Sequence, residues 1–155
     1  MGKIFITSDL HFCHNKSFLY SPRGFKDEFE MNSAIIKNWN ATVSSDDTVY
    51  VLGDLMLCND DVGLDCIRRL KGKLHIIIGN HDTDTRIAKY KELYNVESVE
   101  YGARLKYGGY IFYMSHYPTL CSNFDCGKPL HRQVINLCGH SHTQDKWQDW
   151  DINLF

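Results

Sequence analysis

No stretch of this 155-residue chain approaches the roughly 20 consecutive apolar residues of a membrane-crossing helix, and no membrane role is expected. No basic block or tail is present either: 17 Lys and Arg stand against 19 Asp and Glu, a net charge of −2. That balance withholds the electrostatic footprint of a protein that grips long nucleic acid. A small phosphate ligand stays open, because bound cations would supply positive charge locally. Cys-x-x-Cys is missing among the six cysteines at 13, 58, 66, 121, 126 and 138. A chain of this length buries roughly 70% of its unfolded surface and needs no covalent staples, so reduced thiols and a cytoplasmic setting are expected. Cys66 and Cys138 fall inside apolar patterns and read as small core residues. Cys121 and Cys126 are the one close pair and leave a loop zinc site open. Internal repeats, low-complexity tracts, linkers and a signal-peptide pattern are also lacking. A single domain over residues 1–155 is expected.

What is there is a series of apolar, β-rich runs separated by helical patterns. Residues 3–7, 48–52, 74–78 and 134–138 read as strands. Asp27-x-x-Glu30 is a helix-start pattern, followed by Phe29, Ile36 and Val43 on one line with Ile35 and Trp39 beside it. A second helix starts near Asp60, turns Val62, Cys66, Ile67 and Leu70 inward and stops at Gly72. Residues 84–93 read as a polar surface helix. Two further β-rich runs, 99–107 and 110–114, flank Gly108-Gly109, a hairpin signal. Residues 117–132 read as a long loop. Strand–helix alternation in the first half and a hairpin in the second predict an α/β fold with an antiparallel part.

Five short clusters of metal-type side chains punctuate this pattern: Asp9-x-His11, Gly53-Asp54, Gly79-Asn80-His81-Asp82, His116, and Gly139-His140-Ser141-His142. Each alone has a plain structural reading. Asp-x-His and Gly-Asp are common turns, Asn-His-Asp is a helix start, and a lone histidine is more often a hydrogen-bonded structural residue. Two imidazoles two positions apart, as in Gly-His-Ser-His, more readily face one ion. Four clusters leave strands directly, and His116 follows the second strand of the hairpin. Ligands of open α/β sheets bind outside the carboxyl ends of strands, so the set predicts one two-metal hydrolytic site.

The joint pattern resembles the calcineurin-like metallophosphoesterase superfamily. Between the motifs the chain is similar to the compact, cap-free bacterial and phage members, in His11-x-x-His14, Arg23-Gly-Phe25, Asn38-Trp39-Asn40 and the segment from Asp47 to Asp54. The resemblance implies two facing mixed β-sheets flanked by helices, a four-layer α/β/β/α sandwich. It implies two divalent metal ions, with Mn foremost and Fe, Ni or Zn as other occupants of such oxygen and imidazole ligands. Asp9, His11 and His142 would bind one ion, Asn80, His116 and His140 the other, and Asp54 would bridge them. Two cations about 3.5–4 Å apart neutralise an anionic ester and hold a deprotonated water as nucleophile. His81 would then protonate the leaving group as a general acid, and Asp82 would orient His81 by accepting its other N–H. Asn80, His14 and Arg23 are candidates to touch substrate phosphate, Arg23 in bidentate fashion. Tyr117, Phe124 and Trp147 are candidates to wall the cleft or cover core, and His75 and His131 read as structural.

Two departures stand out. Cys13 occupies a position where small members of this type often carry glycine. The chain also ends thirteen residues after His142. Residues 146–155 must then supply a further short strand, or leave an edge that would favour a homodimer. The implied activity is hydrolysis of a phosphate ester, a small molecule or nucleotide, with diesters favoured over monoesters. A non-catalytic scaffold on the same fold and a nuclease acting on short nucleic-acid ends are the alternatives. A complete ligand set with His81 weighs against the first, and the lack of a basic patch against long strands in the second.

Overall fold

Each strong apolar run forms a strand. The order is β1 (Ile4–Thr7), α1 (Ser17–Tyr20), α2 (Glu28–Thr42), β2 (Thr48–Leu52), α3 (Asp60–Arg68), β3 (Lys73–Ile77), α4 (Asp84–Tyr90), β4 (Val96–Glu100), β5 (Ala103–Tyr107), β6 (Tyr110–Met114) and β7 (Val134–Leu137). This computed structural model describes residues 2–57, 59–119, 129 and 133–142. Cys58, Cys121, Phe124, Cys126, His131, Trp147 and the strand expected within 146–155 lie outside the described residues.

The first four strands lie side by side in the order β1-β2-β3-β4, all parallel. Parallel neighbours need long crossovers, which α2, α3 and α4 supply. The second sheet is mixed: β5 and β6 form the expected antiparallel hairpin, and β7 adds parallel to β6. Its turn places both Gly108 and Gly109 at positive φ, 56° and 85°, as a tight two-residue hairpin requires.

Alternation along the central strands sets the layers. Val49, Val51, Leu74 and Ile76 point to one side, into the main core with Ile36, Trp39, Val43, Leu64, Ile67 and Leu70 of the helical segments. Leu52 and Ile77 point to the other side and meet Met114, with Tyr50, Ala103, Leu105 and Leu137 around them. The two sheets therefore face each other across a small apolar seam, and the helices cover the first sheet from behind. Full burial of side chains such as Ile76 and Leu74 contributes about 1.5–3 kcal/mol each. Helix starts are capped as the sequence predicts: Asp27 accepts from the Glu30 amide at 2.8 Å, and the Glu30 carboxylate accepts from the Lys26 amide at 2.9 Å.

The layering corrects several expectations. The run 99–107 is not one strand: it breaks at Tyr101-Gly102, so that β4 completes the parallel sheet and β5 opens the second one. A continuous β-rich run carries no mark of which sheet it pairs with. Phe29 shares a heptad line with Ile36 yet is 68% exposed. At 100° per residue the inward face of α2 centres on Asn32 and Trp39, and Phe29 lies about 80° off it. Val62 is exposed, while Gly63, Leu64, Cys66 and Ile67 turn inward. The helix within 84–93 is not wholly superficial, since Tyr90 is fully buried and Leu93 buried. Cys66 is in the core, but Cys138 is exposed because it falls past the end of β7, in the exit loop. His75 is structural as expected: it stacks on Tyr50 and pairs with the Ser98 hydroxyl at 2.8 Å.

Candidate metal centre

All five clusters sit on strand exits. β1, β2 and β3 are parallel, so Asp9 and His11, Asp54, and Asn80 to Asp82 leave the first sheet on the same edge. β6 and β7 run parallel to each other and deliver His116, His140 and His142 from the second sheet. The exit loops are laced together: the Asp9 amide donates to Gly53 O at 3.1 Å, the His11 amide to Asp54 O at 3.0 Å, and the Gly139 amide to His116 O at 3.0 Å. Asp9, His11, Asp54, His140 and His142 all hold left-handed backbone, with φ between 51° and 68°. Such conformations cost about 1–3 kcal/mol each in non-glycine residues and persist where surroundings over-determine them.

The motif glycines have steric reasons. A β-carbon on Gly53 would strike His116, one on Gly79 would strike the Asp54 carboxylate, and one on Gly139 would strike Asp9 Oδ2. In each case the glycine makes room for a side chain of the cluster rather than only for a turn.

The side chains converge in two groups. Asp9 Oδ1, His11 Nε2 and His142 Nε2 lie 3.1–3.9 Å from one another. Asn80 Oδ1, His116 Nε2 and His140 Nδ1 lie 2.8–3.2 Å apart. Asp54 stands between them. Its Oδ1 accepts from the His81 amide at 3.0 Å, leaving Oδ2 at 3.9 Å from His11 Nε2 and 3.6 Å from His116 Nε2. Two sets, Asp9 with His11 and His142, and Asp9 with Asp54 and His116, each have the compactness of a metal site.

Proton bookkeeping supports that reading. His116 Nδ1 must donate to the Leu52 carbonyl at 2.9 Å, so in the neutral ring Nε2 carries a lone pair. That lone pair faces the Asn80 carbonyl oxygen at 2.8 Å. A cation against both would draw these two acceptors together. Ligand atoms about 2.1 Å from an ion sit roughly 3.0–3.4 Å apart at octahedral or tetrahedral angles, and most pairs in the two groups lie near this spacing, with His11 and Asp9 the widest at 3.9 Å. Burial, reinforced by the nearby His142 and Arg23 charges, drives His11 down to about 3, which keeps it neutral, the form that binds metal.

His81 is placed differently. Its side chain is 42% exposed, with Nε2 at 3.9 Å from Asp54 Oδ2 and its ring 5.8 Å from that of His11. Asp82 does not take the expected role of steadying the His81 ring. It is buried, and its Oδ2 accepts from the Asp54 and Gly79 amides at 3.0 and 2.9 Å, while Oδ1 accepts from the Tyr90 hydroxyl at 2.9 Å. Asp82 thus ties the β2 and β3 exits together from below. Tyr90, whose phenol is pushed up by burial and by the Asp82 charge, stays protonated and donates. Sequence reasoning missed Tyr90; the one cue was an aromatic residue in an otherwise polar helix.

Arg23 spends its guanidinium on the metal loop, donating to Asp9 O at 2.9 Å and Leu10 O at 3.3 Å. His14 lies beside the cluster, its ring 5.3 Å from that of His11, and burial followed by the His81 charge lowers its pKa. Tyr117 packs edge-on against His116 and His140. Cys13 faces away from the cluster: it holds left-handed backbone, φ 62°, and its thiol is buried in the helix-side core against Asn32 and Cys66. The Cys66 thiol donates to it, which lowers Cys13 and raises Cys66.

Comparison with known proteins agrees with this geometry. An uncharacterized protein of Methanocaldococcus jannaschii is 36% identical over 147 residues, spanning 92% of this chain and 71% of its own length. The gene 66 protein of Mycobacterium phage L5 is 35% identical over 86 residues, 53% of this chain and 41% of the phage protein. The crystal structure of a protein of unknown function from Aquifex aeolicus superposes with a TM-score of 0.61 at 26% identity, covering 74% of this chain and 60% of that one. The sequence model of the calcineurin-like phosphoesterase superfamily domain matches residues 3–153. That match spans nearly the whole chain, and the chain belongs to the calcineurin-like phosphoesterase superfamily.

Proposed function

We propose that this chain is a metal-dependent phosphoesterase that holds two divalent cations, manganese foremost, and favours phosphodiesters over monoesters. The observation that carries the reading is Asp54 Oδ2, which lies between two groups of lone-pair donors at ion-binding spacing. Asp9, His11 and His142 would hold one ion, Asn80, His116 and His140 the other, with Asp54 common to both. When bound, the cations supply charge for the ester oxygens and a water activated for attack.

The chain's own residues do the rest. Asp82 holds the Asp54 backbone amide, Gly79 leaves room for the Asp54 carboxylate, and Arg23 fixes the loop that carries Asp9. The exposed Nε2 of His81 faces the centre, where it delivers a proton to the departing oxygen and regains one from solvent. Exposure of His81 and His142 leaves one side of the cluster open, which suits an ester with two substituents. Arg23 N–H groups beyond those on the Asp9 and Leu10 carbonyls, together with His14 and Asn80, are the candidates for substrate phosphate. A balanced surface charge favours small phosphate esters and nucleotides over long strands. The free thiols of Cys13, Cys66 and Cys138 support a reducing, cytoplasmic setting.

The test is hydrolysis of bis-p-nitrophenyl phosphate and p-nitrophenyl phosphate with and without manganese. Metal-stimulated turnover, faster on the diester, is expected. No hydrolysis with any divalent metal would overturn the enzymatic reading, and a faster monoester would overturn the diester preference.

A further inference from the structure

One exposed ring at the cluster is not used by the reading above. Phe18, on the short helix α1, is 72% exposed, and its ring meets that of His14 edge-on at 5.7 Å. An isolated exposed aromatic residue needs no explanation. Its position does. The His14 ring is 5.3 Å from that of His11, and the His11 ring is 5.8 Å from that of His81. A chain of ring contacts therefore runs from His81 through the buried His11 to His14 and on to the exposed Phe18. Among the described residues, Tyr117 packs on His116 and His140, the opposite wing of the cluster from His11 and His142.

This geometry constrains the leaving group. The departing oxygen lies at His81, and a leaving group that follows the His11 and His14 side of the centre reaches Phe18. Phe18 is a ring beyond His14, too far for a ring bonded directly to that oxygen and suited to one set a spacer away. A nucleoside leaving through its sugar hydroxyl has that form: the sugar spans the His14 ring and the base reaches Phe18. Every base has a flat face, and stacking on an aromatic side chain tolerates all of them.

Resting on the phosphoesterase reading, we infer that Phe18 is a specificity-determining residue that stacks the base of a nucleoside leaving group, making nucleotide esters the preferred substrate class. The bond broken is between phosphorus and the sugar oxygen; water supplies the hydroxyl on phosphorus, and the nucleoside departs with the proton from His81.

The test compares two leaving groups that share the same departing oxygen and differ only in the base. Adenosine 5′-phosphate and methyl riboside 5-phosphate, each as monoester and as methyl diester, are assayed by release of the ribosyl alcohol, with manganese. The manganese-loaded wild type is expected to favour the base-bearing ester by roughly thirtyfold in kcat/KM, the middle of the range for one stacked base. F18A is expected to lose that preference by slowing on the base-bearing ester alone, and F18W to keep it. Phe18 is exposed, so these variants leave the core intact, and bis-p-nitrophenyl phosphate turnover checks that the centre still works. Equal kcat/KM for both leaving groups in the wild type, or a preference that survives F18A, overturns the inference. So does hydrolysis of bis-p-nitrophenyl phosphate with neither ribosyl ester cleaved, an outcome that leaves the phosphoesterase reading standing. Failure on all substrates sinks both.

Discussion

Tyr90→Phe removes one oxygen from the base of the cluster and changes nothing at its surface. Tyr90 is fully buried, and its hydroxyl donates to Asp82 Oδ1 at 2.9 Å. The variant leaves that oxygen in a buried place without its donor, while Oδ2 keeps the Asp54 and Gly79 amides. A hydrogen bond to a charged group is worth about 1.5–3 kcal/mol, and with two donors retained a loss of about 2 kcal/mol is expected. For a chain of this size that lowers the melting temperature by roughly 4–8 °C. The same carboxylate steadies the amides beside the Asp54 carboxylate, so manganese affinity should also fall, by about 10–100-fold as for other partners behind a ligand. Calorimetry in chelator gives the first number, and manganese titration of the apoprotein gives the second. An unchanged melting temperature would refute the energetic argument. A lower one with unchanged manganese affinity would refute the claim that Asp82 transmits the contact to the centre.

Other outcomes follow from the same contacts. Gly79→Ala drives a β-carbon into the Asp54 carboxylate and should abolish manganese binding in a titration while the far-ultraviolet dichroism stays native. Phe29→Ser, on an exposed position, should change stability by less than about 0.5 kcal/mol in urea unfolding. The Ser44 and Lys3 amides hold the Asp47 carboxyl below its ordinary value. A folded pKa below the unfolded one gives stability that is present above the unfolded value, near 3.9, and lost as pH falls through the folded value. Asp47→Asn should therefore flatten the acid limb of a melting-temperature profile below about pH 4 relative to wild type.

The periodicities that build the first sheet were legible because each parallel strand is a short apolar run closed by a turn residue, as in residues 48–54. The break at Tyr101-Gly102 was not, because pairing partners are chosen by tertiary packing and both halves are equally β-rich. At the cluster, residue types and their place on strand exits carried the grouping of Asp9, His11, Asp54, Asn80, His116, His140 and His142. The supporting contacts were hidden. Asp82 beside His81 in sequence invites a pairing of their side chains, yet buried amides at Asp54 and Gly79 claim the carboxylate first. Arg23 likewise reads in sequence only as a phosphate clamp, and its hold on the carbonyls of Asp9 and Leu10 had no cue. Contacts of this kind join residues remote in sequence and leave no period or motif to read.

The most direct measurement is metal content beside turnover for wild type, His81→Ala and Asp54→Asn, by elemental analysis after manganese loading and by hydrolysis of bis-p-nitrophenyl phosphate. Wild type should hold about two ions per chain and turn over. His81→Ala should keep its metal and lose most turnover, and Asp54→Asn should lose both. Loss of metal from His81→Ala, or full turnover by metal-free wild type, would contradict a centre in which Asp54 joins the ions and His81 serves only the departing oxygen.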